Sequence, residues 1–158
     1  MATSKFVLAQ DGHLVQAQSP ILTTAGWTSD AWSMENYAHA SIVVSQGASG
    51  GEACTFTLYA AADSTGTSAA AIPSYRYYSE TTALGDTLGT VAAASTAGVI
   101  TTSTGVNTFY VIEIGAAELT DGLPWMYCTA STAVRDMAVW VVLSGSRYPQ
   151  DQSLTAIA

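Results

Sequence analysis

The sequence predicts an all-β protein: a single-domain antiparallel β-sandwich, jelly-roll-like, with extended N- and C-terminal segments. Three observations predict it. Strand-like runs recur at roughly eight-to-twelve-residue intervals, with Gly, Ser, Thr and Asp between them. Two of these runs, 53–61 and 107–115, alternate side chains with the period of two that marks a half-buried strand. No apolar face recurs at helical spacing, because Gly, Ser and Thr interrupt the Ala-rich pieces.

Taken in order, residues 1–23 alternate polar and small side chains and read as an extended N-terminal segment. "TSDAWSMENYAH" is the best place for a short turn of helix, with Ser29 or Asp30 as cap and Glu35 nearby. "ASIVVSQ" (40–46) is a strand, and the glycine-rich "GASGG" (47–51) reads as a hairpin loop leading to "ACTFTLYAA" (53–61). In that second strand Cys54, Phe56 and Leu58 share one face, and Thr55, Thr57 and Tyr59 the other. "SYRYYSE" (74–80) follows Pro73, which suits a strand start or an edge. "GTVAAAS" and "GVITTST" are weaker strands. "NTFYVIEIG" (107–115) sets Tyr110, Ile112 and Ile114 against Phe109, Val111 and Glu113. "PWMYCTAS" and "RDMAVWVVLSG" complete the set, and the last is apolar on both faces, as a central strand covered on each side is. The sandwich is placed at 24–145. The tail 146–158, "SRYPQDQSLTAIA", has too little bulk for a core of its own, and Pro149 keeps its predecessor extended. Such an arm frays or docks on a neighbour.

Composition narrows the function classes. The chain has 158 residues, enough for one domain with a sound core. Four basic residues face twelve acidic ones, a formal net charge of −8. Lys5, Arg76, Arg135 and Arg147 are scattered in sequence, whereas counterion release needs several cations aligned on phosphates, so direct nucleic-acid binding is not expected. The longest clean apolar run, Ala138 to Leu143, is too short to span a bilayer. The N-terminus shows neither a secretory signal nor an anchor, so folding in a cytoplasm is expected. Cys54 and Cys128 read as buried free thiols, because the Trp and Tyr spacing of an immunoglobulin disulfide is absent.

Chemistry has few candidates. Gly47-Ala48-Ser49-Gly50-Gly51 satisfies G-x-S-x-G, but that nucleophile motif needs a strand-to-helix turn, and here a strand follows. Both histidines, His13 and His39, also precede Ser49, against the hydrolase order of Ser, acid, His. Neither histidine has a partner ligand at short spacing, and no C-x-x-C occurs. Asp121-Gly122 and Asp63 to Gly66 read as turns rather than calcium loops. Glu113 and Glu118 could be close, but Glu113 is placed pointing outward from its strand. The expectation is a non-enzymatic protein with no cofactor and no metal. Trp27, Trp32 and Tyr37, and Tyr75, Tyr77 and Tyr78 around Arg76, are the remaining candidates. They could stack on sugars, anchor a protein interface, or serve as core.

The phrases "YAHASIVVSQGASGGEACTFTLYAAADSTGTSAAAI", "VNTFYVIEIGAAEL" and "MAVWVVLSGSRYPQ", in this order over residues 35–158, resemble small all-β virion proteins of tailed bacteriophages, of the head decoration or capsid cement type. The resemblance implies a virion protein on the capsid exterior, made in the host cytoplasm. It would bind assembled major capsid protein and stabilise the shell, as a trimer or another small homo-oligomer. Arg147, Tyr148, Pro149, Leu154 and Ile157 of the tail are the expected partner contacts. The alternatives are a tail or neck component, and a carbohydrate-binding module using Trp27, Trp32 or the Tyr75–Tyr78 cluster.

Overall fold

The computed structural model describes residues 7–48, 52–131, 135–146 and 157. A four-residue helix, α1 (Leu8–Asp11), leads into the long strand β1 (Gly12–Thr23). Two short strands follow, β2 (Trp27–Thr28) and β3 (Trp32–Ser33), then the ten-residue β4 (Tyr37–Gln46). The chain continues through β5 (Thr55–Ala61), β6 (Ala70–Ala71), β7 (Arg76–Glu80), β8 (Ala92–Ala93) and β9 (Val99–Thr101). Then come β10 (Thr108–Gly115), a 3-10 turn at Ala116–Glu118, β11 (Trp125–Ala130) and β12 (Arg135–Ser146).

One sheet has the order β1-β12-β4-β10-β7-β8 and the other β2-β11-β5-β6, with β3 added to β11 and β9 to β5. Every pairing recorded is antiparallel. The first and last long strands lie side by side, and the chain passes repeatedly from one sheet to the other, which is the jelly-roll pattern. The expected all-β sandwich is therefore what forms.

Alternation decides which residues fill the space between the sheets. Ala40, Ile42, Val44 and Gln46 of β4 point inward, as do Tyr110, Ile112 and Ile114 of β10 and Met137, Val139, Val141 and Leu143 of β12. They meet Phe56 and Leu58 of β5 and Met126 and Cys128 of β11, all buried in one continuous core. Cys54 and Cys128 are free thiols inside it, as the sequence indicates.

Three local expectations are corrected. "TSDAWSMENYAH" forms no helix. Trp32 enters β3 and is fully buried, and the Met34 N–H donates to the Pro124 carbonyl, so pairing with the β11 region overrides a weak local preference. β4 and β5 do not form a hairpin, and Ser49, Gly50 and Gly51 of "GASGG" lie outside the described residues. β4 belongs to one sheet and β5 to the other. The sandwich also takes in most of the segment set apart as 1–23. Gly12 to Thr23 pair along β12, and Val15 and Ala17 enter the core.

Candidate functional site

The outer face of the larger sheet, the side turned away from the core, holds the strongest candidate. Register builds it. Val111 of β10 stands opposite Val43 of β4, which stands opposite Trp140 of β12, while Tyr78 of β7 flanks Val111 on its other side. All four are half-buried and point away from the core. Val142 lies one step along β12, with Leu14 opposite it on β1 at 52% exposure, and Phe109 one step along β10. At one corner α1 folds back so that Leu8 comes beside Val142 at Gly12. At the opposite end the Glu80 carboxylate accepts from the backbone N–H groups of Thr82 and Thr87, which ties down the following loop. The Thr82 N–H beside it holds Glu80 below the usual carboxylate range. Between these two edges, no strand or helix of the described residues is layered over the apolar row.

β12 thus departs from expectation in one respect. It is a central strand and apolar on both faces, and the described residues cover its inner face fully, while Trp140 and Val142 on its outer face stay half-buried.

A polar trio borders the row. His39 and Ser41 alternate outward on β4, and Glu113 is the strand partner of Ser41 on β10. His39 Nε2 lies 2.6 Å from Glu113 Oε2, and the Ser41 hydroxyl donates to the same carboxylate oxygen at 2.7 Å. Glu113 does point outward, at 37% side-chain exposure. A hydrolytic triad places acid and serine on opposite imidazole nitrogens. Here both approach Nε2, with Ser41 Oγ 3.5 Å away, and the serine proton is committed to the carboxylate. That arrangement locks Glu113 in place and leaves Ser41 without a base. The sequence treats His39 as solitary, because its partner lies 74 residues away.

Ser49 lies outside the described residues, as do Arg147, Tyr148, Pro149 and Leu154. Ile157 is described. It forms an antiparallel bridge to Trp32 of its own chain and packs on the core. Among the described residues, no group of three or more His, Cys, Asp and Glu is arranged to hold a metal ion, and no helix is long and apolar enough to cross a membrane.

The aromatic candidates separate by depth. Trp32, Tyr37 and Tyr75 are buried, and Trp27 packs edge-on against Phe56. Burial raises the Tyr75 hydroxyl pKa well above the ordinary value. Tyr77 turns inward against Tyr110, leaving Arg76 and Tyr78 on the outer face. An aromatic pair that sequence reasoning missed lies on the smaller sheet. Tyr59 and Tyr127 are strand partners whose rings stack 5.1 Å apart at 9°, in a groove of about 460 Å3 also lined by Asp30 and Thr65. Alternation puts each on an outer face, but only the β5–β11 pairing brings them together.

No family model matches this chain, and no curated protein matches it. Among solved structures, the crystal structure of the SPBc2 prophage-derived protein YomS is similar at 12% identity and a TM-score of 0.49, covering 85% of this chain and 94% of that one. A chain of the T13 IBDV viral particle aligns at 13% identity and a TM-score of 0.14, covering 95% of this chain and 41% of that one.

Proposed function

We propose that this chain is a non-enzymatic virion protein of a tailed bacteriophage that binds the assembled capsid lattice and stabilises the head. One observation carries a protein-binding role: the uncovered cross-strand row of Trp140, Val43, Val111 and Tyr78 on the larger sheet. Apolar side chains grouped on a sheet face that no other element covers mark interaction surfaces, and Trp and Tyr are the residues that anchor them. The resemblance of residues 35–158 to head decoration proteins supplies the partner class, the major capsid protein.

The energetics suit the task. A protein that binds only the assembled shell stabilises it by mass action, about 2.7 kcal/mol per site at a hundredfold excess over Kd. Repetition over a symmetric lattice multiplies modest contacts. The terminal arm from Arg147 to Leu154 is a second proposed contact with the shell, whereas Ile157 is engaged by its own chain.

The test is co-sedimentation with assembled shells and with unassembled capsid protein. Saturable binding to shells alone supports the reading, and so does its loss in Val111→Lys with the fold intact. Binding to neither form overturns it. Binding to purified tails or necks instead moves the protein to the other virion role.

A further inference from the structure

We propose that the groove over Tyr127 on the smaller sheet binds a neutral oligosaccharide, whose pyranose rings stack along β11. The site lies on the sheet opposite the apolar row and is independent of the capsid-binding reading.

Strand order shapes the groove. In the order β2-β11-β5, Tyr127 of β11 stacks on Tyr59 of β5 by one ring face, so its other face is turned toward β2 and the segment 28–31. The loop 64–66, which follows β5, lines the groove as well. The volume of about 460 Å3 falls within the roughly 300–1,000 Å3 of small-molecule sites. The Cβ that Gly66 lacks would lie 3.6 Å from Tyr127 Cε1 and 3.8 Å from its hydroxyl, so the glycine keeps that end of the ring open.

Both flanks are fixed by the chain's own bonds. The Asp63 carboxylate accepts from the Thr65 N–H and hydroxyl and from the Thr67 N–H, which sets the loop that carries Gly66. On the other flank the Ser29 hydroxyl accepts from the Cys128 N–H and donates to the Asp30 carbonyl, while the Asp30 N–H donates to the Ala17 carbonyl. A groove held this way loses little freedom when a ligand enters.

The lining identifies the ligand class. A pyranose offers a face of C–H groups, which rests on the electron-rich face of an aromatic ring, and a rim of hydroxyls that need hydrogen-bond partners. Tyr127 supplies the ring face. The Asp30 carboxylate, the Thr28 and Thr65 hydroxyls and the two phenol hydroxyls supply the partners. Among the described residues, no group bonds the Asp30 carboxylate or either phenol hydroxyl. Asp30 is also the one charged residue lining the groove, in a chain of formal charge −8, which disfavours anionic ligands. A proline-rich peptide also suits aromatic grooves, but it has no N–H to donate to Asp30. Trp125 stands two residues before Tyr127 on the same face of β11, about 7 Å along the strand. It lines a second depression of about 450 Å3 with Glu35, Thr120 and Asp121. Two aromatic stations on one strand fit a chain of sugar units.

The experiment titrates the full chain by NMR with mono- to hexasaccharides of glucose, galactose and N-acetylglucosamine, their sulfated counterparts, and a polyproline peptide. A neutral series should saturate the groove, shift the amide signals of Asp30 and Tyr127, and bind more tightly as hexasaccharide than as disaccharide. Tyr127→Ala should weaken binding about tenfold. Trp125→Ala should weaken the hexasaccharide and leave the disaccharide unchanged. Asp30→Asn keeps an acceptor but removes the charge, so it should raise affinity for the sulfated chains. Circular dichroism confirms folding, and Tyr59→Ala is the second variant should Tyr127→Ala fail. The inference is overturned if no neutral saccharide binds, if binding survives both tyrosine substitutions, or if polyproline shifts these signals and saccharides do not. Tyr127→Ala should still co-sediment with assembled shells, so the failure of either reading leaves the other standing.

Discussion

Gly98→Ala should be among the most damaging single-methyl additions in this chain, and Gly122→Ala separates the reasons. Both glycines have left-handed backbone, with φ of +70° and +81°. That conformation costs an L-residue about 1–2 kcal/mol. At Gly122 nothing lies within 4 Å of an added Cβ, so this is the whole cost. At Gly98 the Cβ would lie 2.3 Å from the Ile72 carbonyl oxygen. Close carbon–oxygen contacts settle near 3.3 Å, so one segment must move by about 1 Å. Neither is free to do so. Ile72 is buried and its N–H donates to the Leu58 carbonyl, while the Gly98 N–H donates to Ser95 and its carbonyl accepts from the buried Tyr75 hydroxyl. Loosening two such bonds adds about 2 kcal/mol. Gly98→Ala should then cost about 3–4 kcal/mol and lower Tm by about 10 °C, against about 4 °C for Gly122→Ala. Thermal unfolding at one fixed protein concentration measures both, because association would otherwise contribute. Equal shifts for the two variants would refute the packing argument.

Other outcomes follow from the same geometry. Burial pushes the Cys128 thiol up to about 12, so it should resist alkylation at pH 8 until the chain unfolds. Because the folded thiol keeps its proton while the unfolded one loses it near the ordinary value of 9.0, stability should also decline as pH rises from about 9 toward about 12. The hydroxyls and backbone N–H groups of Thr67 and Thr65 hold Asp63 at about 2. Its folded pKa is depressed, so its contribution should be present above the unfolded value of 3.8 and vanish as pH falls through about 2. Carboxyl titration by NMR reads this directly, and a midpoint near 4 would contradict it. Ser41→Ala should leave the fold intact, with a stability change within about 0.5 kcal/mol by urea unfolding, since Ser41 is a part-exposed donor on the sheet surface.

Inward-facing alternation was legible in the sequence. Phe56 and Leu58, and Tyr110, Ile112 and Ile114, fall on the buried side because a period of two is a local property. Local signals failed where pairing decides. The expected helix around Ser29 to Glu35 lost to ladder bonds with the β11 region, and β4 and β5 looked like hairpin partners because sequence adjacency does not show that they join different sheets. Residues 12–23 looked like a polar arm because their strand has small inward side chains, with Val15 and Ala17 on the core. The candidate face was half legible. The sequence shows β12 apolar on both sides, and shows Val111 on the same face of its strand as the outward Glu113. It does not show that these residues stand in one row, because that depends on the register of strands distant along the chain. The same holds for His39 with Glu113 and for Tyr59 with Tyr127.

The central claim is that the outer face of the larger sheet is covered in the working state of the protein. Hydroxyl-radical footprinting measures this most directly, applied to dilute protein, concentrated protein and shell-bound protein. Trp140 and Tyr78 should lose reactivity on assembly, while Tyr59 and Tyr127 on the opposite sheet serve as the internal reference. Protection of Tyr59 and Tyr127 with Trp140 and Tyr78 unchanged would contradict the account.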